Sequence, residues 1–132
     1  MKIFLGTDIC EISRIAESYE KFGEKFLDKV FTRSEINYCT QKSKLTSQRL
    51  AVRFATKEAV AKALGVGVNK LGWNKGIDWK DVEVLRDEKG AVCIKLAGKA
   101  KKLEEENRIT NWTISVSHSR DNAVSTVIGY RS

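Results

Sequence analysis

The segment from about Ser47 to Leu64 constrains the fold of this chain more than any other. Its interior is rich in alanine, the strongest helix former. Apolar residues recur along it at the spacing of one helical face: Leu50, Phe54, Ala61 and Leu64. Three small side chains would let another element approach closely: Ala55, Ala59 and Ala63. The segment therefore predicts one long central helix against which the rest of the chain packs.

The remaining patterns predict helices and strands in a mixed order. A capping box, Thr32 to Glu35, starts a helix through about residue 40, and Gly23 weakens the helical pattern before it. The predicted strands are 3–9, 82–86, 92–96, 112–117 and 122–130, and the other helical segments are 12–22, 26–30 and 97–107. This order predicts an α+β fold in which helices cover an antiparallel sheet.

Composition narrows the class of protein. A chain of 132 residues that is 42% hydrophobic suits one compact domain, 1–132. Twenty-four Lys and Arg against seventeen Asp and Glu give a net charge of +7, which favours an anionic partner such as a phosphate ligand, a nucleic acid or an acidic protein. We expect no membrane span and no secretion signal, because the apolar runs are too short. Three widely spaced cysteines favour a reducing cytoplasm over a disulfide scaffold or a Cys-x-x-Cys metal site: Cys10, Cys39 and Cys93.

The central helix carries the densest chemical signal. Glu58 and Lys62 are four residues apart and share a face, and Arg53 lies about one turn before Glu58. One interpretation is an ordinary surface ion pair that contributes about 0.3 to 0.5 kcal/mol. The other is a phosphate-binding surface holding one carboxylate, because residues 42–62 contain six Lys or Arg and one acid.

A divalent cation would need a second acid, and Asp8 is the candidate. It follows Gly6 and Thr7 at the end of a predicted strand, where small residues let a ligand approach the backbone. Mg²⁺ is typically held by one or two carboxylates together with substrate phosphate oxygens. The alternative is that Asp8 caps the helix that begins near Glu11.

Two further segments bear on phosphate binding, and only the first is a candidate. His118, the only histidine, stands in Ser115 to Ser119, where an alternating strand runs into a turn, and it is either a phosphate contact or a surface imidazole. The loop 65–76 has four glycines, but Trp73 replaces the lysine that a P-loop requires. A Ser/His hydrolase is disfavoured because the sequence lacks the Gly-x-Ser-x-Gly turn.

Together these segments resemble the holo-acyl-carrier-protein synthase family of 4′-phosphopantetheinyl transferases. The resemblance rests on blocks in the family's order: 6–9, 11–15, 31–39, 53–65 and 115–119. It implies the transfer of phosphopantetheine from coenzyme A to a serine of an acyl carrier protein, a step that serves fatty acid biosynthesis. The chain departs from the family at Thr56, where alanine is usual, and around 69–76.

The resemblance also implies roles for individual residues. Asp8 and Glu58 would hold Mg²⁺, Lys62 would contact a phosphate, and Arg53 and His118 would join it in binding coenzyme A. The proton of the serine would go to Glu58, to Lys62 or to a metal-bound water, and these alternatives stay open. Members of this short type form trimers with shared active sites.

A basic row on the first helix predicts the surface that docks an acidic carrier. Arg14 and Lys21 lie seven residues apart on one side, and Lys25 and Lys29 would extend the row if the helix continued past Gly23. A parallel row of acids makes an ordinary solvated face the alternative: Glu20, Glu24 and Asp28. A small RNA-binding module, suggested by the charge and three tryptophans, is the rival function. It is weakly supported, because Trp112 falls in the apolar register of a strand.

Overall fold

The structure is a computed structural model that describes residues 1–41, 43–70 and 74–132. Its helices and strands, in chain order, are β1 (Phe4–Glu11), α1 (Ile12–Phe22), α2 (Glu24–Val30), α3 (Arg33–Cys39), α4 (Thr46–Ala63), β2 (Val82–Arg86), β3 (Val92–Leu96), α5 (Gly98–Glu106), β4 (Asn111–His118) and β5 (Asn122–Tyr130). This confirms the predicted α+β class and the long central helix. No helix in the described part of the chain is long and apolar enough to cross a membrane.

The strands form two antiparallel sheets. β5 lies between β1 and β4 in a three-stranded sheet, and β2 pairs with β3 as a separate hairpin. The predicted hairpin is confirmed, and Gly90 in its turn has a φ of 83°, the left-handed region that glycine favours. In the three-stranded sheet Asp8 lies opposite Ser125 of β5.

The helix α4 crosses β1 and β5 and is buried on most of its circumference. Twelve of its eighteen residues are buried, which is typical of a helix at the centre of a core. β1 approaches α4 so closely at Gly6 that an added Cβ would lie 1.8 Å from the Ala59 carbonyl oxygen. The small residues at these positions therefore set the distance between strand and helix, as the alanine pattern predicts.

The helical region before α4 is divided at two points. Gly23 has a φ of 56° and separates α1 from α2, so the basic row of Arg14 and Lys21 does not continue along one helix to Lys25. That extension of the row was wrong because glycine at positive φ ends the helical geometry. The capping box of α3 is confirmed: Thr32 N donates to Glu35 Oε1 at 2.8 Å, and Glu35 N donates to Thr32 Oγ1 at 3.3 Å.

Candidate active site

Asp8 and Glu58 line one cleft of about 690 Å³, although fifty residues separate them in sequence. Side chains alternate across a strand, so Gly6, Asp8 and Cys10 share the face of β1 that points toward α4. Glu58 and Lys62 come from the α4 face that borders the same cleft. The carboxylates are mostly enclosed, with exposed side-chain fractions of 17% for Asp8 and 15% for Glu58.

Each carboxylate is paired with its own lysine. Lys62 Nζ donates to Asp8 Oδ1 at 2.9 Å and to the Thr7 carbonyl oxygen at 3.0 Å. Lys70 Nζ, from the glycine-rich loop, lies 3.5 Å from Glu58 Oε1. Within the described ion pairs Glu58 is therefore bound by Lys70 and not by Lys62, so the simple i,i+4 surface pair is not formed. Asp8 lies inside β1 and is not the residue that caps α1.

The donor set of the cleft fits a hard divalent cation. Asp8 and Glu58 offer carboxylate oxygens, the ligands that Mg²⁺ prefers, and Glu11 lines the same cleft. Among the described residues no group of three or more His, Cys, Asp or Glu is arranged to hold a metal ion. The remaining ligands would have to be water and substrate oxygens, as is usual for Mg²⁺.

Cys10 also lines this cleft, but its thiol has low reactivity. Burial, and next the negative charge of Asp8, raise the pKa of the Cys10 thiol to about 11. The thiol is therefore neutral near pH 7 and a weak nucleophile. The carboxylates and lysines are left as the reactive groups of the cleft.

A buried ion pair holds α4 in place behind the cleft. Lys57 Nζ lies 2.9 Å from Glu35 Oε1, both side chains are fully buried, and Lys57 also donates to the Trp79 carbonyl at 3.0 Å. Glu35 Oε2 accepts a hydrogen bond from Val84 N at 2.8 Å. Burial lowers the pKa of Lys57, while the charge of Glu35 opposes that change. The pair thus ties α3, α4 and β2 together.

Sequence reasoning missed this pair. Glu35 is recognisable as part of a capping box, but nothing local indicates that its capping oxygen, Oε1, also contacts Lys57 in the protein interior. The only signal in the sequence is that Lys57 stands four residues after Arg53 on the same helical face. That spacing places two cations together without showing whether the face is buried.

Arg53 lies on a different side of α4 from the cleft. It is only 3% exposed, its guanidinium lies 4.5 Å from the Tyr38 ring centroid, and Nη1 donates to the Arg49 carbonyl at 3.2 Å. Its Nε has no hydrogen-bond partner among the described residues. Its predicted coenzyme contact stays a prediction.

His118 is exposed at the end of β4. It lies opposite Ala123 of β5, which in turn lies opposite Cys10 of β1, so His118 is two strands away from the strand of Asp8. It is absent from the described residues that line the cleft. Within a single chain, His118 therefore does not lie beside Asp8 and Glu58. Its predicted contact with coenzyme A also stays a prediction.

The residues predicted to dock a carrier are divided among two helices. Arg14 lines the cleft beside Asp8 and Glu58. Lys21 lies on α1 with its ammonium 5.3 Å from the Phe22 ring centroid, and Lys25 lies on α2. All three side chains belong to exposed residues.

The glycine-rich loop delivers Lys70 to the cleft. Asn69 anchors it: its N–H donates to the Ile77 carbonyl at 2.7 Å, and its Oδ1 accepts from Gly76 N at 2.8 Å. Gly72 and Trp73, on which the P-loop comparison depended, lie outside the described residues. Lys70 itself was not predicted as a site residue.

The other two tryptophans are packed against the protein. Trp79 stacks on Phe54 with ring centroids 4.6 Å apart, and Trp112 Nε1 donates to Glu104 Oε2 at 2.7 Å. Both pack against the hydrophobic core. Neither forms the open aromatic platform on which a single-stranded nucleic acid would stack.

The fold and the cleft define a class: α+β proteins in which two enclosed carboxylates and two lysines line one cleft between a sheet strand and a central helix. The profile of the 4′-phosphopantetheinyl transferase superfamily matches residues 4–127. This chain belongs to that family.

Individual relatives cover nearly the whole chain. It is 44% identical over 125 residues to the holo-acyl-carrier-protein synthase of Halothermothrix orenii, covering 95% of this chain and 94% of the relative. Among solved structures, the Neisseria meningitidis holo-acyl-carrier-protein synthase has a TM-score of 0.84 at 29% identity, covering 98% of this chain and 100% of that one. The Helicobacter pylori enzyme in complex with coenzyme A has a TM-score of 0.79 at 32% identity, covering 96% and 99%.

Proposed function

We propose that this protein transfers the 4′-phosphopantetheine group from coenzyme A to a serine of apo-acyl carrier protein. The products are holo-acyl carrier protein, which serves fatty acid biosynthesis, and adenosine 3′,5′-bisphosphate. The observation that carries the proposal is that Asp8, Glu58 and Lys62 meet in one cleft of a chain that belongs to this family. Its similarity to holo-acyl-carrier-protein synthases, one of them in complex with coenzyme A, supports the same donor and acceptor.

Asp8 and Glu58 are the residues that we propose to hold Mg²⁺. Their carboxylates are enclosed and share the cleft, and their present partners are exposed lysine side chains that are free to move. When bound, the cation would neutralise charge on the diphosphate of coenzyme A. Two enclosed acids fixed on a strand and a helix suit this role, because neither has to be ordered when the ligands arrive.

Lys62 is proposed to bind a phosphate oxygen as the substrate reacts. The serine oxygen of the carrier forms a bond to the phosphorus that bears pantetheine, and the bond from that phosphorus to the bridging oxygen breaks. Phosphoryl transfer spreads negative charge over the phosphate oxygens, so an ammonium group positioned beside them stabilises the transition state. The serine proton passes to Glu58 where Lys62 is the ammonium group, or to Lys62 itself where that side chain starts as a neutral amine. Adenosine 3′,5′-bisphosphate leaves with the electron pair.

We propose that the carrier docks beside the cleft through Arg14, Lys21 and Lys25. Arg14 lines the cleft itself, so a carrier that contacts it would present its serine near the reacting phosphate. Acyl carrier proteins are typically acidic, and exposed cations speed the association of such partners at low salt. Raising the ionic strength should weaken carrier binding, and an affinity that does not change with salt would contradict the docking proposal.

The outer face of the three-stranded sheet supports the proposed homotrimer. Leu5 and Ile9 are 61% and 64% exposed and lie opposite Ile128 and Val124 of β5, and Ile3, just before β1, is 59% exposed. Exposed apolar clusters of this kind mark interaction surfaces. We propose that subunits associate through this face and that His118 completes the site of a neighbouring subunit.

Mixing two impaired variants tests the shared site. If Asp8 and His118 of one site come from different subunits, mixed oligomers of Asp8→Ala and His118→Ala chains contain some sites with both native residues. Activity should then exceed the sum of the separate variants. No recovery, in mixtures shown by native mass spectrometry to contain hybrid oligomers, would contradict the shared site.

The state of the cysteines indicates the cellular compartment in which the protein works. Cys10, Cys39 and Cys93 are all free, and the first two are buried. Free cysteines are typical of reducing compartments. We therefore propose a cytoplasmic location.

The decisive experiment combines the protein with apo-acyl carrier protein, coenzyme A and Mg²⁺. Mass spectrometry should show a gain of one phosphopantetheine on the carrier, and none when the carrier serine is replaced by alanine. Asp8→Ala and Glu58→Ala should abolish the gain while the fold is kept. Asp28→Ala is the matched control, since Asp28 is an ion-paired acid outside the cleft, 3.3 Å from Arg33. A carrier that stays unmodified by the native protein would refute the proposed function.

A further inference from the structure

Both candidate metal ligands are already neutralised by lysines. Lys62 holds Asp8 at 2.9 Å and Lys70 holds Glu58 at 3.5 Å. The lysines approach from different segments, since Lys62 belongs to α4 and Lys70 to the loop that follows it. Two acids and two lysines give this set of four a formal charge of zero.

The lysines are the movable members of the two pairs. Their side chains are 53% exposed for Lys62 and 60% exposed for Lys70, whereas the carboxylates are 15% to 17% exposed. An exposed lysine has many accessible rotamers, so it loses little when it leaves its partner. The carboxylates are fixed, and a change of partner therefore means that the lysines move.

A divalent cation and a lysine compete for the same carboxylate oxygens. A cation that binds Asp8 and Glu58 leaves two ammonium groups unpaired beside it, and the local charge becomes +2. A diphosphate of charge about −2 restores neutrality if the released lysines bind its oxygens. The cation and the diphosphate should therefore each strengthen the binding of the other.

We propose that Lys70, with Lys62, is an exchangeable counter-ion of the active site. In the free protein Lys70 occupies Glu58 and opposes the binding of a divalent cation. On assembly of the site it moves to the diphosphate of coenzyme A, so cation and coenzyme bind cooperatively. This proposal rests on the proposed function, and it assigns to the glycine-rich loop the delivery of a phosphate-binding lysine.

The test uses Lys70→Met and two separate binding measurements. Mn²⁺ binding to the protein without coenzyme is measured by electron paramagnetic resonance, and coenzyme A binding is measured by calorimetry at saturating Mn²⁺. Loss of the competing charge should tighten Mn²⁺ binding about threefold to tenfold, as expected for one charge at ion-pair distance near a protein surface. Coenzyme A binding should weaken by a similar factor, because one phosphate contact is lost.

Opposite signs separate this role from a structural one. A variant that merely loosens the loop would weaken both ligands. Lys70→Arg keeps the charge and should behave as the native protein does in both measurements. Lys101→Met is the matched control, because Lys101 pairs with Glu104 at 2.8 Å with a 52% exposed side chain, on α5 and away from the cleft.

Unchanged or weaker Mn²⁺ binding in Lys70→Met would overturn the proposal, as would unchanged coenzyme A binding. Absence of Mn²⁺ binding to the native protein would overturn it together with the metal assignment. Failure of the function itself is seen separately, as no phosphopantetheine transfer by the native protein. In that case the opposite shifts in the two affinities would still establish the exchange of counter-ions.

Discussion

Replacement of Gly6 by alanine tests whether the contact between β1 and α4 sets the geometry of the active site. An added Cβ would lie 1.8 Å from the Ala59 carbonyl oxygen and 2.8 Å from the Ala63 nitrogen. Both atoms belong to the backbone of α4, so no side-chain rotation can relieve the overlap. The strand and the helix would have to separate.

The required separation follows from ordinary contact distances. Van der Waals contact begins near 3.4 Å, so β1 would have to move by about 1.6 Å at Gly6. Asp8 is two residues further along the same face, so it would be carried away from Glu58 on α4, with which it shares the cleft. A misplacement of about 1 Å in an active site can cost about 100-fold in rate. We expect about that loss of phosphopantetheine transfer, with a destabilisation of about 1 to 3 kcal/mol from overpacking.

Gly129→Ala is the matched control for this prediction. Gly129 lies on β5 of the same sheet, but a Cβ there would meet side-chain atoms: the Trp112 ring at 2.9 Å and an Ile109 methyl at 3.1 Å. These can shift, so Gly129→Ala should lower the free energy of unfolding in urea and leave transfer nearly intact. The reasoning is refuted if Gly6→Ala keeps native transfer, or if equal destabilisation by the two variants brings equal loss of activity.

Three further predictions concern stability, measured by urea unfolding. Burial raises the pKa of the Cys39 thiol to about 11 from a reference value of 9.0, so the thiol ionises first in the unfolded chain and the free energy of unfolding falls between pH 9 and 11. Between pH 8 and 10 the fall should be about 1.4 kcal/mol smaller in Cys39→Ala than in the native protein, and an equal fall in both would exclude this cause. Glu35→Gln removes the buried carboxylate that pairs with Lys57 and should lower the free energy of unfolding by about 3 to 5 kcal/mol. A decrease below about 1 kcal/mol would show that the pair is solvated. Thr56→Ala breaks the buried 2.8 Å hydrogen bond to Ser125 and should lower the free energy of unfolding by about 1 to 3 kcal/mol. Adding Ser125→Ala to that variant should lower it little further, and full additivity of the two changes would contradict the coupling.

The parts of the fold that the sequence predicts are those set by neighbours along the chain. The capping box at Thr32 and Glu35, the hairpin around Gly90 and the alanine-rich α4 depend on spacings of a few residues. The break at Gly23 was harder to place, because a glycine inside a helical pattern is tolerated in some helices and ends others. Its positive φ is decided by how α1 and α2 pack, which no local pattern records.

The candidate site is predictable only in part for the same reason. Asp8 and Glu58 could be proposed as partners from the family resemblance and from the need of a cation for two acids. The lysine that Glu58 contacts depends on how the loop after α4 folds back, so Lys70 was not predicted. The family resemblance likewise placed Arg53 with the coenzyme-binding residues; in this chain its guanidinium lies over the Tyr38 ring, and the coenzyme contact stays a prediction.

Adjacent residues on α4 have opposite surroundings, and this explains how one helix can be both a scaffold and an active-site element. Successive side chains on a helix point about 100° apart, so Lys57 and Glu58 face different neighbours. Lys57 points inward and anchors α4 to Glu35, while Glu58 points into the cleft with Lys62 one turn later. A helix held on its buried side keeps the carboxylate that faces the cleft in a fixed position relative to Asp8. Metal affinity in this cleft should therefore depend on the buried pair, even though that pair is absent from the cleft lining.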